Sequence, residues 1–228
     1  MPVYLSLYRF WHYPSSSRLR LSQFVILPPY HKQSHGTHLY SQCYARVLKD
    51  EAVTELTVED PNEAFDRLRD TADLRQLLRK GGIADQMGSV ERADGKPGGL
   101  LVPPLSRHDS EVWRKKAKMA KRQWGRLVEM IQLLSLDPSD AERIKAYRLQ
   151  VKARLYRFNR DVLTQLPIEE RREKLHFTYQ GLLQQEYADL IGVDVNPFLP
   201  DPDGVLLDMG EGGEDHDEIV GSFKRQRV

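Results

Sequence analysis

The chain has 228 residues, 40% of them hydrophobic, with 34 Lys and Arg against 33 Asp and Glu and a single Cys. One Cys cannot build a disulfide framework and points to a reducing compartment; no run of about 18 apolar residues is present to span a membrane, and without a basic n-region followed by an apolar h-region at the start secretion is not expected. The net charge of +1 hides an asymmetry: residues 201–218 carry eight acids and no Lys or Arg, and without these and the three bases beyond them residues 1–200 hold 31 bases against 25 acids.

From Val3 to Trp11 apolar and mixed residues alternate, as in a strand, and Tyr13-Pro14-Ser15-Ser16-Ser17 reads as a reversing turn. Leu19 to Leu27 ends in Phe24-Val25-Ile26-Leu27, the pattern of a strand buried on both faces, and Pro28-Pro29 stops it. Gly36 to Lys49 reads as a helix with Leu39, Cys43 and Val47 on one face, and Glu51 to Val58 as another strand. Asp60 as N-cap, Pro61 at the first position and Glu63 at the third open a helix that runs to about Lys80 and closes at Gly81-Gly82. The order strand, strand, helix, strand, helix predicts an α/β or α+β sheet domain over residues 1–105.

Residues 94–106, rich in Gly and Pro, form a boundary with room for a short strand at Leu100–Val102. Beyond it the apolar period becomes helical. Trp113, Ala117, Ala120, Trp124, Leu127, Ile131 and Leu134 form one stripe. Ser139 with Glu142 is a capping box for a second helix, whose stripe is Ile144, Tyr147, Val151, Leu155, Phe158 and Val162. Pro167 starts a third, with Leu175, Tyr179, Leu182, Leu183, Tyr187 and Leu190. The three make a helical module over residues 106–193. Residues 194–228, glycine-rich and acidic, are expected to be disordered.

The segment most informative about chemistry runs from the strand through Pro28-Pro29-Tyr30 into His31-Lys32-Gln33-Ser34-His35-Gly36-Thr37 and then a helix. A turn feeding a helix N-terminus from a strand's carboxyl end can cradle phosphate, because the unpaired amides and the helix dipole favour an anion. An ordinary strand-to-helix loop has the same outline. His31, His35 and His38 have a spacing that could line up metal ligands, but Gly36 argues that His31 lies outside the helix and no Cys or acid completes a set, so no metal is expected. Glu59 stands at a strand's carboxyl end, free to face a cleft as a general base or to remain an exposed acid. Seven bases between Arg114 and Arg126 (with Lys115, Lys116, Lys118, Lys121 and Arg122) could bind phosphates, yet Trp113 and Trp124 fall on the apolar stripe, which favours a solvated helix face. Cys43 reads as core, and Lys224-Arg225-Gln226-Arg227 as a weak nuclear-import-like cluster.

Arg20-Leu21-Ser22-Gln23-Phe24-Val25-Ile26-Leu27-Pro28-Pro29-Tyr30, then His35-Gly36, resembles the central acetyl-CoA motif of the type B histone acetyltransferase catalytic subunits, a family of the GCN5-related N-acetyltransferase superfamily. Glu59-Asp60-Pro61-Asn62-Glu63-Ala64-Phe65, followed by Leu68-Arg69-Asp70, looks like the segment carrying that family's catalytic acid. Ser135-Leu136, Ser139-Asp140-Ala141-Glu142 and Tyr147-Arg148-Leu149 look like the start of its C-terminal helical region.

The resemblance implies direct acetyl transfer from acetyl-CoA to a lysine of free histones, chiefly in the histone-four tail. Phe24, Val25 and Ile26 would bind the pantetheine arm through backbone groups, and His31, Lys32, Gln33, Ser34, His35, Gly36 and Thr37 would lie under the pyrophosphate. Asn62 would contact the cofactor near its thiol end. Glu59 would be the base, with Asp60 beside it, acting from a partly apolar cleft, and strand amides would stabilise the oxyanion. The implied partners are histone tails and a WD-repeat histone-binding subunit, with residence in nucleus and cytoplasm; membranes and direct contact with nucleic acid are not expected.

Three features depart from the family. The superfamily's phosphate turn has Gln or Arg, then Gly, then Gly or Ala, where this chain has His31, Ser34 and Gly36, and Lys32 occupies a further glycine position. Side chains at Lys32 and Ser34 crowd a turn that works by close backbone approach. The match begins midway through the transferase fold, so the chain reads as its C-terminal half, with an uncovered sheet edge. The acidic tail has no family counterpart. A fragment that binds partners without turnover is the rival reading, and a basic nucleic-acid-binding module around residues 107–126 a third.

Overall fold

The computed structural model describes residues 3–88 and 103–200. β1 (Val3–His12) and β2 (Ser16–Ile26) pair antiparallel, from Val3 opposite Ile26 to His12 opposite Ser16. β2 then pairs parallel with β3 (Val53–Val58), giving a three-stranded sheet in the order β1-β2-β3. Parallel neighbours need a crossover, and α1 (His35–Lys49) supplies it. The fold is mixed α+β.

The described residues form two compact units, one within Met1–Leu100 and Asp109–Ile131, the other within Leu101–His108 and Gln132–Val228. In the first, Leu19, Leu21, Tyr40, Tyr44, Val53, Leu56 and Leu77 are buried where α1 and α2 (Glu63–Leu78) cover the sheet. Helix α3 (Ile83–Gly88) follows. The expectation that Phe24–Leu27 is buried on both faces is corrected: Val25 is 48% and Leu27 46% exposed, while Phe24 packs edge-on to Phe65 of α2. The strand has one face against helices and the other open among the described residues.

The stripe from Trp113 to Leu134 is two helices, not one. α4 (Arg107–Ala117) stops at Lys118, whose φ of 51° is left-handed, and α5 (Lys121–Leu134) starts after it. The break lets the Lys118 carbonyl accept from the Leu56 amide at 2.8 Å, extending the sheet beyond β3 by one bridge between Leu56 and Met119. Arg114 Nη1 donates to the Met119 carbonyl at 2.7 Å, and Lys118 Nζ to those of Val47 and Asp50 at 3.1 and 2.7 Å. Side chains read as a solvated basic face therefore hold this crossing in place.

In the second unit α6 (Ala141–Phe158) packs on α8 (Ile168–Gly181), with short α7 (Arg160–Leu163) between them in sequence. A π-helical stretch, Leu182–Tyr187, leads into α9 (Ala188–Ile191). Tyr147, Val151, Tyr179, Leu183 and Tyr187 are buried, whereas Phe158 and Val162, expected on the same stripe as Tyr147, are 63% and 55% exposed because α6 ends at Phe158. The cap of α6 is Asp140, which accepts from the Arg143 amide at 3.0 Å, rather than Ser139. Order also extends past residue 194, contrary to expectation: Val195, Phe198 and Leu199 are buried, Tyr179 donates to the Phe198 carbonyl at 2.9 Å and Arg148 to that of Pro200 at 2.6 Å. The expected strand at Leu100–Val102, the acidic tail from Asp201 and the basic cluster at Lys224–Arg227 lie outside the described residues.

Candidate functional site at the opening between parallel strands

β2 and β3 pair from Ser17 opposite Val53 to Leu21 opposite Val58, and the Glu59 amide donates to the Leu21 carbonyl at 2.9 Å. Beyond that bond β3 ends while β2 continues to Ile26, paired with β1 alone among the described residues. Backbone groups of β2 past Leu21 thus border an opening on the side that β3 has left. The register with β1 places Leu7 opposite Leu21 and Ser6 opposite Gln23, leaving Ser22 as the extra residue of a β-bulge. Its Oγ donates to Glu59 Oε2 at 2.5 Å across the mouth of the opening.

The turn leaving β2 is tied back to the strand. The His31 ring donates from Nε2 to the Ile26 carbonyl at 2.8 Å, which fixes its tautomer, and Gln33 Nε2 donates to the Pro29 carbonyl at 2.9 Å. Lys32 and Ser34, the two positions where the resemblance implies glycine, have φ of 56° and 62°. The backbone therefore keeps the conformation that glycine favours, at a cost of roughly 1–2 kcal/mol per residue. The first amide bonded back within α1 is that of His38, to Ser34 at 3.0 Å, so those of His35, Gly36 and Thr37 have no acceptor inside the helix. No acid occupies the first turn of α1, and Ser34 makes no side-chain cap. A Cβ on Gly36 would lie 2.7 Å from both Ile26 Cδ1 and Leu68 Cδ1, so glycine here allows close contact of α1 with the strand and α2. Three aimed amides, no competing carboxylate and a tightly approached backbone fit a phosphate group.

On the other side of the opening, Glu59 and Asp60 are both exposed, so among the described residues Glu59 does not sit in the expected partly apolar cleft. Asp60 does not cap α2. It has a φ of 37°, and the cap is Asn62, whose Oδ1 accepts from the Phe65 amide at 2.8 Å. The chain needs a turn between the strand end and the helix, and Asp60 lies in that turn. The 31–37 turn follows the carboxyl end of β2, which holds Phe24, Val25 and Ile26, and the Glu59–Asn62 segment follows that of β3, so in this parallel pair both stand at the same end of the sheet.

α1, α2 and α5 are joined by a buried polar network. Asp73 of α2 accepts from Tyr40 of α1 at 2.8 Å and from Gln123 of α5 at 2.9 Å, with Arg69 Nε 3.6 Å away. Asp70 accepts from the same Gln123 at 2.9 Å and from Arg126 at 2.7 Å. Burial pushes Asp73 up to about 6 and raises the Tyr40 hydroxyl well above its usual value. Arg69 and Asp73, four residues apart on the covered face of α2, are the one trace of this network in the sequence.

Other candidates lie apart from this site. Arg114 and Arg126 are held by Glu55, Glu111 and Asp70, and Lys118 by backbone carbonyls. Lys115, Lys116, Lys121 and Arg122 are exposed, with Lys116 4.0 Å over the Trp113 ring. Trp124 is buried and donates to Ser110 Oγ at 3.0 Å. Cys43 is buried, and burial raises its thiol. It lines an apolar cavity of about 270 Å³ with Leu5, Leu7, Leu19, Leu39 and Val47, which excludes Glu59 and the 31–37 turn. Among the described residues no three His, Cys, Asp or Glu side chains group as metal ligands, and no helix is long and apolar enough to cross a membrane.

The family described as fungal HAT1, C-terminal, matches residues 101–137. A histone acetyltransferase type B catalytic subunit of Mycosarcoma maydis is 50% identical over 216 residues, covering 94% of this chain and 46% of that protein. Proteins of the same name from Cryptococcus neoformans var. neoformans and Schizosaccharomyces pombe are 47% and 37% identical, over 83% and 76% of this chain and 44% and 42% of theirs. The chain thus spans about half the length of the curated relatives it matches. Over that half, it belongs to the histone acetyltransferase type B catalytic subunit family.

Proposed function

We propose that the chain binds acetyl-CoA in the opening between β2 and β3 and transfers its acetyl group to a lysine of free histones, chiefly in the histone-four tail. The observation that supports this reading is that the turn at residues 31–37, with its free helix amides, leaves the carboxyl end of β2 while the exposed Glu59 stands at the carboxyl end of the parallel neighbour β3. The amides of His35, Gly36 and Thr37 would hold the pyrophosphate, with His31, Lys32, Gln33 and Ser34 forming the turn around it. Backbone groups of Phe24, Val25 and Ile26 would pair with the pantetheine amides, and Asn62 would approach the thiol end. Acetyl-CoA supplies an acetyl group activated as a thioester. Glu59, directly or through water, takes a proton from the lysine ammonium so that the neutral amine can attack the thioester carbonyl; the C–S bond then breaks, and coenzyme A leaves as a thiolate that takes up the proton shed by the acetylated nitrogen, while Asp60 adds negative charge that favours a cationic substrate.

The wider expectations belong to the same reading: a WD-repeat histone-binding partner, and residence in cytoplasm and nucleus. The exposure of Glu59, outside a partly apolar cleft among the described residues, favours a second reading, a partner-binding module without turnover. Calorimetry with acetyl-CoA, repeated in inorganic pyrophosphate, tests the first. One-to-one binding weakened by pyrophosphate is expected; a folded chain that binds no acetyl-CoA overturns it.

A further inference from the structure

We propose that Ser22 is a positioning residue for Glu59, an inference that rests on the reading of Glu59 as the base. The β-bulge makes Ser22 the one residue of β2 without a partner in β1 between Val3–Ile26 and His12–Ser16. It also lies immediately after Leu21, whose carbonyl takes the last bond from β3. An unpaired residue at the fork of two diverging strands can turn its side chain across the gap, and the Oγ meets Glu59 Oε2 at 2.5 Å. Glu59 is exposed and has three side-chain torsions, so a carboxylate at this strand end would otherwise sample several directions. One donated hydrogen bond fixes Oε2 and leaves Oε1 with its acceptor sites for an ammonium or a water. Serine suits the position because it donates from a short side chain; alanine removes the donor, and threonine keeps it with a methyl that strands accept.

The proposal concerns direction rather than cofactor affinity, and that separates it from a merely structural bond. In the wild-type chain, Ser22→Ala is expected to lower kcat for acetyl transfer about tenfold, the value of one hydrogen bond to a charged group, with acetyl-CoA affinity within about twofold. Ser22→Thr should restore kcat to within about threefold, and Ser22→Ala added to Glu59→Gln should cost nothing further, since the group it orients is already gone. Failure of Thr to rescue, or an equal loss in the Glu59→Gln background, overturns the proposal. A Glu59→Gln chain as active as wild type removes the base and this inference together, whereas a slow Glu59→Gln beside an unaffected Ser22→Ala removes this inference alone. Crystal structures decide independently of turnover: the Glu59 carboxylate should take one position in wild type and Ser22→Thr and several in Ser22→Ala. A single unchanged position in Ser22→Ala contradicts the proposal.

Discussion

Lys32 and Ser34 hold a glycine-like turn without glycine, because His31 and Gln33 are bonded to the carbonyls of Ile26 and Pro29 and leave the residues between them little choice. Relieving the left-handed backbone with Lys32→Gly or Ser34→Gly should raise unfolding free energy by up to about 1 kcal/mol each, read by urea denaturation, because the removed strain exceeds the added chain entropy. The same assay separates the two residues competing for the cap of α2. Asn62→Ala should cost about 1 kcal/mol through the lost bond to the Phe65 amide, and Asp60→Ala should not show that loss. The sequence contains Asp, Pro, Asn and Glu in an order that allows either cap. What decides between them is the turn needed to leave β3, a tertiary requirement that no local pattern carries.

At the level of elements, strands and helices with strong period were legible, including β1, β2, α1, β3 and α2, and with them the placement of the 31–37 turn and of Glu59 each just after a strand. The break at Lys118 could not, because Ala117, Trp124, Leu127 and Ile131 remain in helical phase across it and nothing near it is Gly or Pro. It exists because the edge of β3 takes a carbonyl there. The polar network was hidden for a related reason: Arg69, Asp70 and Asp73 look like solvated charges until Tyr40, Gln123 and Arg126 are brought to them. Its titration gives a signed prediction. Asp73 is raised by burial from 3.8 to about 6, so between these values the folded chain binds more protons than the unfolded one, and stability falls as pH rises through that window. Tyr40, Gln123, Arg69 and Asp70 face the group, and Asp73→Asn removes the titration. Relative to Asp73→Asn, the wild-type chain should lose about 2 kcal/mol of unfolding free energy between pH 4 and 7, by urea denaturation. An unchanged difference would mean that Asp73 is ionised in the folded chain throughout.

For the whole molecule, the outer edge of β1 pairs with no strand among the described residues, and Tyr4, Tyr8, Phe10 and Trp11 are 55%, 57%, 44% and 73% exposed. Such an edge is a template for pairing with another chain. The purified 228-residue chain should therefore self-associate with concentration in sedimentation velocity, and Tyr8→Lys with Phe10→Lys should reduce that association without loss of secondary structure. The central claim concerns the other side of the sheet, where β2 and β3 part. It is tested most directly by the rate of acetyl transfer from acetyl-CoA to a histone-four tail peptide, measured for wild type and Glu59→Gln at saturating cofactor. Transfer by wild type and a loss of about 100-fold or more in the variant are predicted, the usual worth of a positioned base. Equal rates, or no transfer by a folded wild-type chain, would contradict it.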